Sequence, residues 1–110
     1  MIRYPAILLI ACALTGCTPA NEPNTTITII GTNDVHGALV PRDDTGGLVA
    51  LSAYVNALRA ARAADGGALL LLDAGDMWQG TLESNLAEGK TIVEAYNRLG
   101  YDAVALGNFT

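Results

Sequence analysis

The run "ALLLLDAGD", Ala68 to Asp76, decides the fold. Five consecutive apolar residues, Ala68 to Leu72, predict a strand buried on both faces, as parallel strands under crossover helices are. The run ends abruptly on an acid, two small residues and a second acid. Working outward, "LVALSAYVNALRAARAA" precedes it, with Leu48, Leu51, Val55 and Leu58 at spacings of three and four that share one helix face. Arg59 and Arg62 sit in its last turns, where cations suit the negative end of the helix dipole, and Asp65-Gly66-Gly67 ends it. "TIVEAYNRLG" follows as a second helix. Thr91 and Glu94 have capping-box spacing, Glu94 and Arg98 can pair one turn apart, and Gly100 marks the stop.

Farther out, "TTITIIGTND" is β-branched and predicts a strand over 26–32, while "YDAVALGN" predicts a third strand. "GALVPRDDTGG", Gly37 to Gly47, carries Pro41, two aspartates and paired glycines and reads as a loop. The order is therefore β-α-β-α-β, which points to an α/β fold with a parallel sheet and right-handed crossovers. No internal repeat, low-complexity tract or second domain is visible.

The chain of 110 residues is the size of one small domain, and 51% of it is hydrophobic. Six Lys or Arg stand against eleven Asp or Glu, so there is no electrostatic footprint for nucleic acid. If the partner is a phosphate compound, something other than side-chain charge must hold it, and a metal is the obvious candidate. Residues 1–16 read as a leader. A short positive start precedes "PAILLIACAL", Pro5 to Leu14, which falls far short of the ~20 residues a spanning helix needs. "LTGC", Leu14 to Cys17, then resembles a bacterial lipoprotein signal, with cleavage before Cys17 and lipid on its thiol; an ordinary secretory signal is the alternative. Residues 17–25 are expected to be the lipidated cysteine and a short tether, and 26–110 a catalytic domain in part. The expected location is exported and anchored to a bacterial membrane, on its periplasmic or cell-surface face. Cys12 would leave with the leader, so no thiolate zinc site or disulfide framework is expected, and any metal must be held by oxygen and imidazole.

Each strand ends in a polar signature: "TNDVHG", "DAGDMWQGT" and "LGN". In open α/β sheets the carboxyl ends of parallel strands converge on one crevice. That puts Asp34 and His36, then Asp73 and Asp76, then Asn108 on one rim. Carboxylates, an imidazole and an amide oxygen suit divalent Mn, Fe, Zn or Mg. Each residue also has a plain structural reading. Asp34 could be a turn or capping residue, His36 a hydrogen-bonded structural histidine, Asp76 a helix cap and Asn108 a loop residue. Their recurrence at successive strand ends favours the site.

"TNDVHG", "GGLVALSAYV", "LLLDAGDMWQGT" and "GYDAVALGN" resemble the opening motifs of the 5′-nucleotidase family of calcineurin-like metallophosphoesterases, over roughly Ile27 to Asn108. Trp78 stands where that family usually has another aromatic residue. The resemblance implies the β-α-β-α-β part of a four-layer α/β/β/α domain, two divalent metals, and hydrolysis of nucleotide phosphoesters by an activated water in nucleotide catabolism. It implies that Asp34 and His36 bind one metal, that Asp76 bridges the two and that Asn108 binds the second. Asp73, Gln79 and Gly80 would shape the loop beside them.

The resemblance also sets a departure. The family has His after the Gly-Asn step, in contact with the phosphate and protonating the leaving group, and this chain has Phe109. A phenyl ring neither ligates nor donates a proton. The family's further ligands and its nucleoside-binding C-terminal domain have no counterpart in this sequence. The expectation is a broken or truncated copy, inactive alone, with a non-catalytic surface lipoprotein as the alternative. A dinucleotide-binding unit is disfavoured, because "GTNDVHG" lacks G-x-G-x-x-G and places an acid where phosphate would sit.

Overall fold

The computed structural model describes residues 24–108. The leader, Cys17, most of the tether and Phe109 lie outside the described residues. Isoleucine and threonine give β1 (Ile27–Thr32), the apolar run gives β2 (Ala68–Asp73), and β3 is only two residues long (Ala103–Val104). All pair in parallel in the order β1-β2-β3, with Ile30 opposite Leu71 and Thr32 opposite Asp73. Helix α1 (Gly47–Asp65) connects the first two strands, and a short α2 (Leu82–Leu86) and then α3 (Lys90–Leu99) connect the last two. Among the described residues, no helix is long and apolar enough to cross a membrane.

When strand order runs straight across a parallel sheet, two right-handed crossovers fall on the same face. The core lies on that face: Leu48 and Val55 of α1, Leu71 of β2, Met77, and Ile92, Tyr96 and Leu99 of α3. The other face is open among the described residues, with Ile27 60%, Ile29 65% and Leu70 39% exposed. The expectation that β2 is buried on both faces is corrected accordingly. Its apolar run marks an inner strand, but the helices between these strands reach only one side of it.

Helix ends follow the glycines. Gly66 and Gly100 take left-handed conformations (φ 72° and 70°) that close α1 and α3. Arg62 pairs with Asp65 at 2.7 Å, and Arg59 instead donates to the Gly100 carbonyl at 2.9 Å, tying the ends of the two helices together. The predicted capping box is absent. Gly89 is the N-cap of α3, which places Thr91 inside the helix, and its hydroxyl donates to the Glu83 carbonyl. Glu94 pairs back to Lys90 at 3.9 Å rather than forward to Arg98. Sequence periodicity missed α2, which is too short to show any. Its cap was readable: Thr81 accepts from the Ser84 N–H at 3.3 Å and donates to the Gly37 carbonyl at 2.8 Å.

Beneath the carboxyl end of the sheet, Tyr96 and Tyr101 stack at 4.1 Å. Burial raises the Tyr96 hydroxyl far above its ordinary value of 10.0, with its hydrogen bond to Asp73 adding to this, and burial raises Tyr101 as well. A phenol raised in the folded state keeps its proton longer folded than unfolded. Its stabilisation is whole below pH 10 and is lost as pH rises beyond it. Urea stability is expected to fall steeply above that pH, with tyrosinate absorbance from this pair appearing only as the chain unfolds. Tyr96→Phe should make the fall shallower, and an unchanged slope would refute the role.

Candidate metal centre

Backbone hydrogen bonds carry the β1–β2 pairing on into the loops that follow. Ala74 N–H donates to the Thr32 carbonyl at 2.8 Å, Asp34 N–H to Gly75 at 3.0 Å, His36 N–H to Asp76 at 3.0 Å and Gly37 N–H to Met77 at 2.9 Å. This lacing fixes Asp34 and His36 against the Asp76 loop. Four of the predicted site residues hold positive φ: Asp34 (53°), His36 (46°), Asp76 (56°) and Gln79 (63°). Such backbone costs about 1–3 kcal/mol per residue and gathers at functional sites.

His36 and Asp34 face each other, with Nε2 3.7 Å from the Asp34 Oδ1 and both side chains more than half exposed. The second Asp34 oxygen accepts from Asn33 Nδ2. His36 Nδ1 lies 3.1 Å from the Gln79 carbonyl. A carbonyl only accepts, so Nδ1 donates in this bond and Nε2 is left half-exposed beside the Asp34 carboxylate; a ring whose other nitrogen donates to a carbonyl is the arrangement that metal-ligating histidines adopt. His36 is the only histidine in the chain, so ¹⁵N NMR reads its tautomer without ambiguity. The expected result is a proton on Nδ1. Protonation at Nε2 would remove the ligand reading.

The other pair forms across the β2 and β3 loops. Asn108 N–H donates to Asp76 Oδ1 at 2.9 Å, and a Cβ on Gly107 would lie 2.3 Å from both the Asp76 nitrogen and that oxygen. Asp73 is different in kind: it is 5% exposed, and its carboxylate accepts from Thr32 Oγ1 (2.5 Å), the Tyr96 hydroxyl (2.9 Å) and Gly75 N–H (2.9 Å). It braces the loop from below. Gln79 acts through its carbonyl, and Gly80 lies close under His36, whose carbonyl a Cβ there would approach to 2.6 Å.

The structure thus brings Asp34 to His36 and Asp76 to Asn108, and laces the first pair to the second through main chain. Among the described residues no three His, Cys, Asp or Glu side chains converge as one cluster. The donors fit a divalent cation in chemistry: carboxylate oxygens, an imidazole whose Nε2 stands beside one of them, and an amide. Sequence reasoning named these four as candidate donors; it did not name Thr32, Asn33, Tyr96 or Gly107, whose contacts no local motif encodes.

The chain is 38% identical to a 5′-nucleotidase of Vibrio parahaemolyticus over 98% of its own length, and 36% identical to the bovine 5′-nucleotidase over 96%. It is also 42% identical to protein UshA of Escherichia coli over 74% of its length. The chain belongs to the 5′-nucleotidase family. It spans 15–20% of the length of these curated relatives. A structure of the sulfate thiohydrolase SoxB from Thermus thermophilus, in complex with glycerol, matches with a TM-score of 0.63 at 21% identity, over 74% of this chain and 25% of that one. That likeness supports the family's α/β fold. No protein-family model matches the chain.

Proposed function

We propose that this chain carries part of the catalytic apparatus of a metal-dependent hydrolase of nucleotide phosphoesters, of the 5′-nucleotidase type. The supporting observation is His36, its Nδ1 proton committed to Gln79 and its Nε2 half-exposed beside Asp34. Asp34 and His36 would hold one divalent ion, Asp76 would bridge to a second, and Asn108 would complete the set. When bound, such ions supply Lewis acidity that activates a water and neutralises charge on the phosphoryl oxygens. The chain's own part is to fix these donors: Gln79 sets the imidazole tautomer, and Asp73 and Gly107 set the position of the Asp76 loop. No imidazole stands at 109 to protonate a leaving group, so slow turnover or none is proposed for this chain alone. Export and anchoring through a lipid on Cys17, in a segment outside the described residues, belong to the same proposal.

The test is phosphate release from a 5′-mononucleotide with Mn²⁺ or Zn²⁺ and with a chelator, beside calorimetric titration of the metal. Metal binding that His36→Ala weakens, with any release abolished by chelator, is expected. No binding at all would favour the second reading, a non-catalytic surface lipoprotein, toward which Phe109 in place of a histidine already leans.

A further inference from the structure

Both candidate donor pairs meet at one residue, Gly75. On the side of the Asp34–His36 pair, its carbonyl receives Asp34 N–H at 3.0 Å. On the other side, a Cβ at Gly75 would lie 2.8 Å from Gly107 Cα and 2.9 Å from Gly107 N, so the β3 loop runs directly against it just before Asn108. Gly75 also leads into Asp76. Its φ of +118° lies where L side chains rarely go, and glycine, free to take many other conformations, does not hold it unaided. The hold comes from Asp73, whose Oδ1 accepts from Gly75 N–H at 2.9 Å.

Asp73 can seat Gly75 only while its carboxylate keeps one rotation. That rotation is fixed at the opposite oxygen, Oδ2, which accepts from Thr32 Oγ1 at 2.5 Å and from the Tyr96 hydroxyl at 2.9 Å. Thr32 belongs to β1, the same segment that runs on into Asp34. Tyr96 comes from α3, is 3% exposed, and its ring is clamped by the stack on Tyr101. The Tyr101 hydroxyl lies 2.9 Å from Thr32 Oγ1 and donates to it, because the Thr32 proton is engaged by Asp73. Tyr101 therefore acts on the carboxylate only through its neighbours.

We infer that Tyr96 is a positioning residue for the candidate metal centre: its hydroxyl holds the Asp73 carboxylate in the rotation that seats Gly75, and Gly75 sets the spacing of the two donor pairs. Reading that spacing as a metal centre rests on the function proposed above; the tie from Tyr96 to the spacing does not. Partners that orient metal ligands contribute about 10–100-fold to affinity, and Tyr96, acting through Asp73, stands at the lower end, about tenfold.

The test sets Tyr96→Phe beside Tyr101→Phe in the full chain. Each loses one hydroxyl from the same stack and keeps its ring, so a general loosening of the core affects both alike. In the metal-free chain, amide hydrogen exchange followed by NMR should quicken about tenfold at Asp34 and Gly75 in Tyr96→Phe, with the β1–β2 ladder amides unchanged. Tyr101→Phe should leave Asp34 and Gly75 at the parent's rates. Calorimetric titration with Mn²⁺ should follow the same order, about tenfold weaker in the first variant and unchanged in the second. The inference is overturned if the two variants exchange alike at these amides, if Tyr96→Phe exchanges there like the parent, or if Mn²⁺ binds the parent and Tyr96→Phe with equal affinity. A parent that binds no Mn²⁺ removes the proposed function, and the exchange comparison then still decides whether Tyr96 holds the donor pairs in place.

Discussion

Replacing Asp73 by alanine is expected to remove about 4 kcal/mol of folding stability, roughly a thousandfold in the folding equilibrium. The carboxylate is buried and receives three hydrogen bonds, from Thr32, Tyr96 and Gly75. The Thr32 hydroxyl has other partners within reach, the Leu72 carbonyl at 3.5 Å and the Tyr101 hydroxyl at 2.9 Å. The Tyr96 hydroxyl can fall back only on the neighbouring Tyr101 hydroxyl, and the Gly75 N–H has no such substitute among the described residues. Each buried donor left unpaired costs about 1–3 kcal/mol, and bonds to a charged acceptor stand at the upper end. Domains of this size are stable by about 5–15 kcal/mol, so the variant should be close to unfolding. Asp73→Asn keeps an acceptor for Gly75 and should lose about half as much. Urea midpoints measured at constant slope decide the matter. A loss under about 1 kcal/mol for alanine would mean that the three bonds do not act as a buried unit. The consequence reaches the site, because the Gly75 carbonyl receives Asp34 N–H and the next residue is Asp76.

Asp73 also shows where sequence reasoning stops. Its position at the end of an apolar run made it a rim residue, alongside Asp76, and nothing local separated the two. The separation comes from register: Asp73 pairs with Thr32 on the helix-covered face, while Asp76 lies beyond the ladder. Strands and long helices were legible because period and composition repeat over six or more residues, as in β1 and α1. The short α2, the Gly89 cap and the bare side of β2 were not, since each depends on which segment packs where. The same holds for the site. Asp34, His36, Asp76 and Asn108 announce themselves as donor types at strand ends, but the Gln79 carbonyl that sets the imidazole tautomer is main chain, with no residue signature at all.

Gly107→Ala should weaken metal binding by about 100-fold, as much as loss of an orienting partner does, and should lower stability by about 3 kcal/mol. Gly107 holds φ +87°, which costs an alanine about 1–2 kcal/mol by itself. Its new Cβ would stand 2.3 Å from the Asp76 nitrogen and 2.3 Å from Asp76 Oδ1, with the Asp76 Cα at 3.0 Å. Two of these atoms are backbone, so no rotamer change relieves the clash, and the β3 loop must move off the β2 loop. The bond from Asn108 N–H to Asp76 Oδ1 breaks with that movement, which parts the donor proposed to bridge two metals from the donor proposed for the second. Gly31→Ala is the matched control, because a Cβ there meets nothing within 4 Å and its φ is ordinary. It should leave both metal affinity and the urea midpoint nearly unchanged. If Gly107→Ala lowers stability but metal binds as in the parent, then Asp76 and Asn108 are a structural clasp. The metal reading would then rest on Asp34 and His36 alone, too few donors to hold a divalent ion tightly.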